Sequence, residues 1–414
     1  MHYRCIACSQ NINNERHRKP HTCGEKYCKI CKDFFDECHQ CYINPVDHHS
    51  STRQSDSRKR KMSFIFFDFE CTQEDMVQCE EGYKKSDENG IKFMNCRKSN
   101  CGVYEHRPNL CVAHKVCELC LDKDITDTSV CDLCGENERI FTGPSTTDDY
   151  CRWLFSEVNT GCTAICHNFK AYDSYPILEY LHQNAILPEV ISTGSKFMSI
   201  DVPQCKLRMI DSINFLPMSL SELPRTFGEE EISKGYFPHL FNRKENHNKV
   251  FDNLPDIKFY NPDSMKPEWR TEFMNWYSQH KDDLFDFNKE LLRYCKSDVD
   301  ILRKCCLKFR KMFMEITTRD EIKGIDSFEK CITIASVCNL VYMTLYLESE
   351  RIGIIPPHGY RPEQTQSIKA LHWLKYISKR YDVNIQHAFN GGEKQIGLFK
   401  VDGYRETTSS EKIA

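Results

Sequence analysis

Two carboxylates end an apolar stretch of the chain with a spacing that suits metal chemistry. The run Phe64-Ile-Phe-Phe-Asp-Phe-Glu70 is nearly all apolar, as expected of a strand buried on both faces, and its acids are Asp68 and Glu70. Side chains two apart on a strand share a face, so these acids would repel each other and lose hydration. A divalent cation would relieve the repulsion. The alternative is a strand that has reached solvent, with both acids on the surface.

A second apolar stretch leads into polar residues and then into a predicted helix. It reads Thr163-Ala-Ile-Cys166, and His167 and Asn168 follow it directly. After a short turn, Asp173 precedes a segment whose apolar face consists of Ile177, Leu178 and Leu181. Asp173 is therefore predicted to lie near a strand-to-helix junction. The same position suits a helix N-cap, where Asp is favoured, so both interpretations stay open.

A fourth acid interrupts an apolar helical stripe. The members of the stripe are spaced alternately by four and three: Leu291, Cys295, Asp298, Leu302, Cys305 and Phe309. A carboxylate in an otherwise apolar face needs a partner. Tyr294 lies one helical turn before Asp298, so its hydroxyl and the carboxylate can act on the same bound species. A solvated acid is the alternative.

Together these segments form an ordered pattern, with D-x-E on a strand, N-x3-Y-D after a strand and Y-x3-D on a helix. The pattern resembles the three exonuclease motifs of family B DNA polymerases. The segments IDSINFL (210–216), KGYFPH (234–239), NGGE (390–393) and VDGY (401–404) are similar to the protein-primed branch of that family. Within the branch they most resemble the polymerases of Maverick or Polinton transposons and related viruses, and the resemblance covers nearly the whole chain.

The resemblance implies an α/β chain with a ribonuclease H-like 3′→5′ exonuclease domain. By carry-over, two divalent ions, Mg²⁺ or Mn²⁺, would be bound by four acids: Asp68, Glu70, Asp173 and Asp298. All-oxygen ligands suit such hard cations. Tyr294 would orient the attacking water beside these catalytic acids. The partner implied is DNA, as a primer-template with a single-stranded 3′ end.

The resemblance also implies residues that bind the strand. Asn168 and Tyr172 would bind the frayed 3′ end, and Ser212 and Ile213 match a strand-binding pair of the family. The chain departs from the family pattern after Glu70, where Cys71 replaces the Thr common in phage relatives. The family's catalytic lysine has no clear counterpart, and its candidates are Lys234, Arg243 and Lys244.

The N-terminal 50 residues carry closely spaced cysteines and histidines that indicate zinc. Four pairs supply eight possible ligands, enough for two tetrahedral sites: Cys5 and Cys8, His21 and Cys23, Cys28 and Cys31, Cys38 and Cys41. The spacing is similar to a RING-type cross-brace, although the second pair has His and Cys in reversed order, and His17 is an alternative ligand. A structural zinc module is the preferred interpretation.

A second cysteine-rich block has the spacing of a zinc ribbon. Cys117-x2-Cys120 and Cys131-x2-Cys134 are separated by ten residues, which predicts at least one structural Zn²⁺ site. A further site is possible for four other residues: Cys96, Cys101, Cys111 and His114.

The composition favours zinc over disulfides and places limits on binding. Many of the 25 cysteines fall in C-x-x-C pairs, and no signal peptide or apolar run of about 20 residues is present. We therefore expect no membrane contact and an intracellular, reducing compartment, either nucleus or cytoplasm. A net charge of −4 means that DNA would have to be bound by local basic patches.

These patterns predict four regions. They are a zinc module (1–50), a basic linker (51–62), the exonuclease domain (63–315) with a cysteine-rich insertion (76–140), and a region leading to a polymerase domain (316–414). The family's polymerase motifs, D-x2-S-L-Y-P and Y-x-D-T-D, do not occur in the 414 residues. Polymerisation is therefore expected outside this chain, with a terminal protein as a possible primer. The competing hypothesis is a catalytically inert, RING-like zinc-dependent module that binds nucleic acid or protein.

Overall fold

The structure is a computed structural model of the whole chain. It describes residues 2–4, 11–13, 22–23, 25–28, 31, 33–35, 39–46, 62–77, 84–86, 92–94, 104–123, 129–170, 172–194, 196–229, 231–232, 234–319, 324–354, 367–388, 390–397, 399–406 and 412–413. These form two compact units, Val46–Leu345 and a second unit made of Met1–Pro45 with Tyr346–Ala414. Within the described residues, no helix has both the length and the apolar character that a membrane span requires.

The strands are, in chain order, β1 His2–Arg4, β2 Asn11–Asn13, β3 Lys26–Cys28, β4 Asp33–Phe35, β5 Ser63–Thr72, β6 Lys84–Ser86, β7 Lys92–Met94, β8 Arg107–Cys117, β9 Glu138–Thr142, β10 Thr163–Cys166, β11 Glu189–Thr193, β12 Lys196–Val202, β13 Leu207–Asp211, β14 Val250–Phe251, β15 Phe285–Asp286, β16 Lys394–Ile396, β17 Phe399–Val401, β18 Arg405–Glu406 and β19 Lys412–Ile413. The helices are α1 Thr146–Leu154, α2 Ser174–Gln183, α3 Leu223–Phe227, α4 Pro267–His280, α5 Phe287–Thr317, α6 Ser327–Lys330, α7 Ile334–Leu345 and α8 Ile368–Tyr381. Short 3₁₀ helices include Ser212–Asn214 and His239–Phe241.

A seven-stranded mixed sheet organises the larger unit. Its strand order is β11-β12-β13-β10-β5-β8-β9. The strands at its centre, β5, β10 and β13, run parallel, and the outer strands are antiparallel to their neighbours. The predicted apolar strand is thus β5, which lies between β10 and β8 and is covered on both faces.

The alternation of side chains along β5 decides which helix each residue meets. Ile65 and Phe67 pack in the core formed with α1 and α2, whereas Phe64 and Phe66 pack in the core formed with α5. Because the side-chain period of a strand is two, Asp68 and Glu70 continue the row that faces α5. The sequence pattern of β5 therefore directs both acids toward the helix that carries Asp298.

Helix α5 is long and amphipathic, as its predicted stripe requires. The side chain of Asp286 caps its first turn by accepting a hydrogen bond of 3.2 Å from the backbone N–H of Lys289. Five of the six stripe positions are buried, and Phe309 is partly buried against the same core. Asp298 is therefore buried among apolar neighbours and is not on a solvated face.

Two predicted boundaries differ from the structure. Strand β8 lies inside 76–140, the predicted insertion, and β9 begins there, yet both belong to the main sheet, and β8 pairs with β5 from Arg107 to Cys117 except at one bulge. Cysteine density hid the strand pattern there. Helix α5 extends to Thr317, and α6 and α7 lie in the same compact unit, so this unit continues past the predicted boundary at residue 315 to Leu345. The apolar run after Thr333 forms helix α7.

Candidate active site

Four acids predicted from separate motifs lie in one neighbourhood. Ligand atoms of Asp68 and Asp173 lie within 4.8 Å of each other and of Cys166, and those of Asp68 and Glu70 lie within 4.8 Å of each other and of Cys295. Helix α5 contacts strand β5 at this point: the Cys295 thiol lies 3.6 Å from the backbone oxygen of Asp68.

The charges of the acids affect one another strongly. Burial, followed by the charges of Asp173, Asp298 and Glu70, raises the pKa of Asp68 well above its usual range. Burial also raises the pKa of Asp173 to about 7 and raises that of Asp298. Asp298 has in addition a buried Oδ1 that accepts no hydrogen bond from the described residues. Crowded carboxylates with an open oxygen are what a divalent cation would neutralise, so these residues fit the implied metal.

Asp173 occupies the N-cap position of α2 without acting as a cap. Its side chain accepts no hydrogen bond from the first turn of the helix. The carboxylate instead interacts with the Cys166 thiol and with the backbone N–H of Phe69, between the two acids of β5. The N-cap alternative therefore does not account for this side chain.

Lys234 is the lysine candidate that reaches the acids. Its Nζ lies 2.7 Å from Oδ2 of Asp298 and 4.9 Å from the ring centre of Tyr294. Burial opposes the charged ammonium, but Asp298 and Tyr294 outweigh it and raise the pKa of Lys234 above its ordinary value. The other candidates pair elsewhere, Arg243 with Glu245 at 3.8 Å and Lys244 with Asp75 at 3.4 Å.

His239 joins the site although no motif identified it. Its Nε2 lies 3.2 Å from the Tyr294 hydroxyl, and its Nδ1 lies 3.7 Å from Oε2 of Glu70. The residue begins the 3₁₀ helix His239–Phe241, five positions after Lys234 in the quoted KGYFPH segment. The imidazole thus links the tyrosine of α5 to an acid of β5.

A buried acid shapes the turn that carries Asn168. The backbone N–H groups of Asn168 and Ile213 donate to Oδ1 of Asp211 over 2.9 and 3.0 Å, and that of Lys170 donates to Oδ2 over 3.3 Å. Asn168 has a φ of 62°, in the left-handed region that Asn tolerates better than most residues. Asp211 therefore fixes both strand-binding segments, a role that sequence reasoning missed.

The four predicted strand-binding residues differ in accessibility. Tyr172 is 53% exposed, and its ring stacks on His106 with centres 4.7 Å apart. Ser212 is fully buried, and its hydroxyl lies 2.8 Å from Nδ1 of His167 and 3.1 Å from the backbone oxygen of Cys166. Asn168 and Ile213 are half-buried. Direct contact between the Ser212 hydroxyl and a DNA strand does not fit this packing.

A β-bulge lies beside Glu70. The register between β5 and β8 shifts between Glu70 and Cys71, and Asn109 is the residue of β8 left without a counterpart. The side-chain amide of Asn242 bridges this point by donating to the backbone oxygen of Cys71 at 3.0 Å and to Oδ1 of Asn109 at 3.1 Å. Bulges re-aim side chains next to active sites, and this one interrupts the regular pairing directly after the second acid.

The predicted zinc-ribbon cysteines converge at one end of β8. The sulfur of Cys117 lies 3.7 Å from that of Cys120 and 3.6 Å from that of Cys131. The sulfurs of Cys120 and Cys134 are 3.4 Å apart. Four thiolates around one zinc at Zn–S of about 2.3 Å would lie roughly 3.8 Å apart, so the spacing suits a metal. A hydrogen bond from the backbone N–H of Cys134 is the main cause that lowers the pKa of Cys131 to about 6.

The further site considered around Cys111 and His114 is not formed by those two residues. They point to opposite faces of β8: Cys111 packs in the core with α1 and α2, whereas burial and the nearby Arg303 of α5 lower the pKa of His114 to about 3. Cys96 and Cys101 lie outside the described residues.

In the N-terminal unit, Cys28, Cys31 and Cys41 converge with His39, which was not predicted as a ligand. A cross-brace would unite the first pair with the third and the second with the fourth. In the described residues the third pair meets Cys41 of the fourth pair, an arrangement that differs from a cross-brace. Of the other candidates, Cys23 is exposed, and Cys5, Cys8, His21 and Cys38 lie outside the described residues.

The fold and site define a mixed α/β domain with a buried cluster of acids at the centre of its sheet. Residues 158–407 match the family model of DNA polymerase type B, organellar and viral, and the chain belongs to this family. The predicted membership of family B is thereby confirmed.

Two curated relatives are probable DNA polymerases. The chain is 24% identical to a probable DNA polymerase of Neurospora intermedia over 204 residues, 46% of this chain and 20% of the relative. It is also 24% identical to a probable DNA polymerase of Ascobolus immersus over 217 residues, 48% and 16% of the two chains. The chain therefore spans a fifth or less of these relatives.

Among solved structures, an orthorhombic crystal form of Phi29 DNA polymerase is 14% identical with a TM-score of 0.33, and the match covers 61% of this chain and 31% of that one. The same polymerase complexed with single-stranded DNA is 13% identical, also with a TM-score of 0.33, and the match covers 62% and 32%.

Proposed function

We propose that this chain carries the 3′→5′ proofreading exonuclease of a protein-primed DNA polymerase and removes nucleotides from single-stranded 3′ ends of DNA. The observation that carries the proposal is the convergence of Asp68, Glu70, Asp173 and Asp298 beside Lys234. An inert zinc-dependent binding module has no need for such a cluster, because each extra buried carboxylate costs stability. The mixed sheet with acids on its central strand supports the ribonuclease H-like assignment.

The four acids would bind two divalent ions, Mg²⁺ or Mn²⁺, through carboxylate oxygens. When bound, such ions supply a nucleophilic water at neutral pH and stabilise the leaving oxygen of an in-line displacement. The orphaned Oδ1 of Asp298 and the raised pKa of Asp68 support this assignment.

The chain's own side chains position the reactants around these acids. The Tyr294 hydroxyl, 3.2 Å from His239, would orient the attacking water, and the ammonium of Lys234 would balance negative charge on the phosphate. Asn168 and the exposed ring of Tyr172 would bind the strand end. Ser212 would act indirectly, because its hydroxyl fixes His167 next to Asn168. Ile213 would also act indirectly, because its backbone N–H donates to Asp211.

The cysteines Cys117, Cys120, Cys131 and Cys134 would bind one structural Zn²⁺. The Asn137 side-chain amide donates to the sulfur of Cys120 at 3.2 Å and to the backbone oxygen of Lys115 at 2.7 Å, which ties the cluster to β8. Free thiols that bind zinc suit a reducing, intracellular compartment, which we propose for the chain. A terminal protein and a primer-template are the partners proposed for the complete polymerase, whose origin we place among transposon or viral replicons.

The test is direct degradation of a 5′-labelled single-stranded oligonucleotide. We expect stepwise shortening from the 3′ end that requires Mg²⁺ or Mn²⁺, and no cleavage of a closed circular strand. Endonucleolytic products, or no shortening by folded, zinc-loaded protein, would contradict the proposal.

Removal of the Lys234 ammonium should slow turnover more than it weakens binding. Because its Nζ contacts Asp298 at the reacting centre, we expect Lys234→Ala to lower kcat by roughly 10–100-fold with a small change in KM. Lys244→Ala is the matched control, since Lys244 pairs with Asp75. Equal kcat values for the two variants would remove Lys234 from the reaction.

Truncation of Tyr172 should instead weaken binding. Stacking on an aromatic side chain contributes about 1–3 kcal/mol per base, so Tyr172→Ala should raise KM for single-stranded DNA by roughly tenfold. Tyr172→Phe keeps the ring and should behave as the parent chain in the same steady-state assay. If Tyr172→Phe is as defective as Tyr172→Ala, the hydroxyl and not stacking binds the strand.

A further inference from the structure

The N-terminal unit contains a four-residue cluster of soft metal ligands. The sulfur of Cys28 lies 3.2 Å from that of Cys41, and the sulfur of Cys31 lies 3.8 Å from that of Cys41. Nε2 of His39 lies 3.3 Å from the sulfur atoms of both Cys31 and Cys41. The backbone N–H of Cys31 also points to the sulfur of Cys28 over 3.4 Å, a contact that favours a thiolate there.

These distances fit a shared cation and exclude a disulfide. Two bonded sulfurs would be about 2.05 Å apart, far less than any of the separations here. Tetrahedral zinc with Zn–S of about 2.3 Å and Zn–N of about 2.0 Å would place its ligand atoms roughly 3.5–3.8 Å from one another. Three thiols and one imidazole are a common ligand set of structural zinc.

The cluster lies next to a junction between two distant parts of the chain. The backbone oxygen of Cys41 accepts a hydrogen bond of 2.7 Å from the N–H of Ile354, and the N–H of Ile43 donates to the oxygen of Ile352 at 2.8 Å. Tyr42 and Gly353 form the antiparallel bridge between these bonds. One ligand is therefore itself part of the backbone pairing with residues 352–354.

We propose that Cys28, Cys31, His39 and Cys41 form a Zn²⁺ site that fastens the N-terminal segment to residues 352–354. All four ligands come from residues 28–41, so the ion would order one short segment of the chain. The ion orders the segment around Cys41, and the ordered backbone then offers its N–H and C=O groups to the later strand. The pairing with residues 352–354 itself closes a long loop, and a segment that the ion has already ordered loses less conformational entropy when it pairs.

The ligand set is tested by zinc content and by cobalt spectra of the full chain. We expect His39→Ala to contain one Zn²⁺ fewer per chain than the parent, and the neighbouring variant Gln40→Ala to keep the parent content, because Gln40 is exposed and offers no soft ligand. His39→Cys should retain the metal and, with Co²⁺ in place of Zn²⁺, shift the d–d bands to lower energy, because thiolate is a weaker-field ligand than imidazole. Full zinc in His39→Ala would overturn the ligand assignment, as would an unchanged Co²⁺ spectrum of His39→Cys.

The fastening is tested by hydrogen exchange, a readout that does not depend on exonuclease activity. In His39→Ala the amides of Ile43 and Ile354 should exchange at least about tenfold faster, because their bonds lose the ordered partner. Peptides from β10 should exchange as in the parent, which separates local release from general unfolding. Zinc loss with parent-like exchange at Ile43 and Ile354 would overturn the fastening. The outcome is independent of whether the chain degrades DNA.

Discussion

The double variant Asp68→Ala/Glu70→Ala is expected to shorten single-stranded DNA roughly 10³-fold or more slowly than the parent chain. Both side chains lie in the row of β5 that faces α5, the charges of Asp173 and Asp298 act on Asp68, and that of Glu70 acts on Asp298. Their removal leaves no carboxylate on the strand to share a cation with Asp173 or Asp298. The measurement is single-turnover shortening of a 5′-labelled oligonucleotide at saturating Mg²⁺.

The double variant should remain folded, which makes the loss of activity interpretable. The two acids repel their neighbours, so without divalent cations their removal should leave the melting temperature unchanged or raise it. The matched control is Glu268→Ala/Asp282→Ala, which removes two exposed acids of the same types and should keep the parent rate. Parent-like shortening by the Asp68→Ala/Glu70→Ala variant would refute the proposed site.

Local periodicity explains why so much of the site was predictable. Strand β5 was recognisable from its continuous apolar run, and α5 from its four-and-three stripe, because both signals lie within one element. Each acid was conspicuous since it interrupted an apolar pattern. The separation of Asp173 from the other acids along the chain gives no sign that they meet. The order of the motifs, through the family resemblance, predicted that Asp173 joins the same site.

Residues fixed by long-range packing were not predictable in the same way. Asp211 looks like an ordinary strand end, and its role arises because Asn168 and Ile213 bring their N–H groups to it from two segments. His239 reaches Tyr294 through a 3₁₀ turn that no periodicity reveals. His39 was not predicted as a ligand because the pair spacing of the cysteines drew attention to Cys38 and Cys41 alone.

The sheet position of β8 was missed for a different reason. Its cysteines and its proline obscure the alternation that usually marks a strand, so the whole segment looked like an insertion. In the structure β8 ends at Cys117, the first residue of the predicted zinc-ribbon set, and carries the Asn109 bulge beside Glu70 near its other end. Strand β8 thus joins the cysteine cluster to the acidic site. We expect removal of a metal bound at Cys117 to weaken the pairing of β8 with β5.

Replacement of Asp173 by Asn should stabilise the chain when divalent cations are absent and the pH is high. Burial is the main cause that raises the pKa of this carboxyl to about 7, from an ordinary value of 3.8. The folded state therefore favours the protonated form, so the contribution of this group to stability is complete below about pH 4 and is lost as the pH rises through 7. Asn resembles the protonated acid at every pH.

We accordingly expect Asp173→Asn to raise the free energy of unfolding by roughly 2–4 kcal/mol at pH 8 in a chelator, and to leave it unchanged near pH 4. Urea unfolding at both pH values measures the difference. Asp201→Asn is the control, because Asp201 pairs with Arg208 at 3.2 Å and should gain nothing from the change. Added Mg²⁺ should reverse the order at pH 8, since the parent site binds the ion more tightly than the variant and is stabilised by mass action. A parent chain that is the more stable at pH 8 without divalent cations would show that Asp173 is not strained by its neighbours, and the case for a cation between these acids would lose its energetic basis.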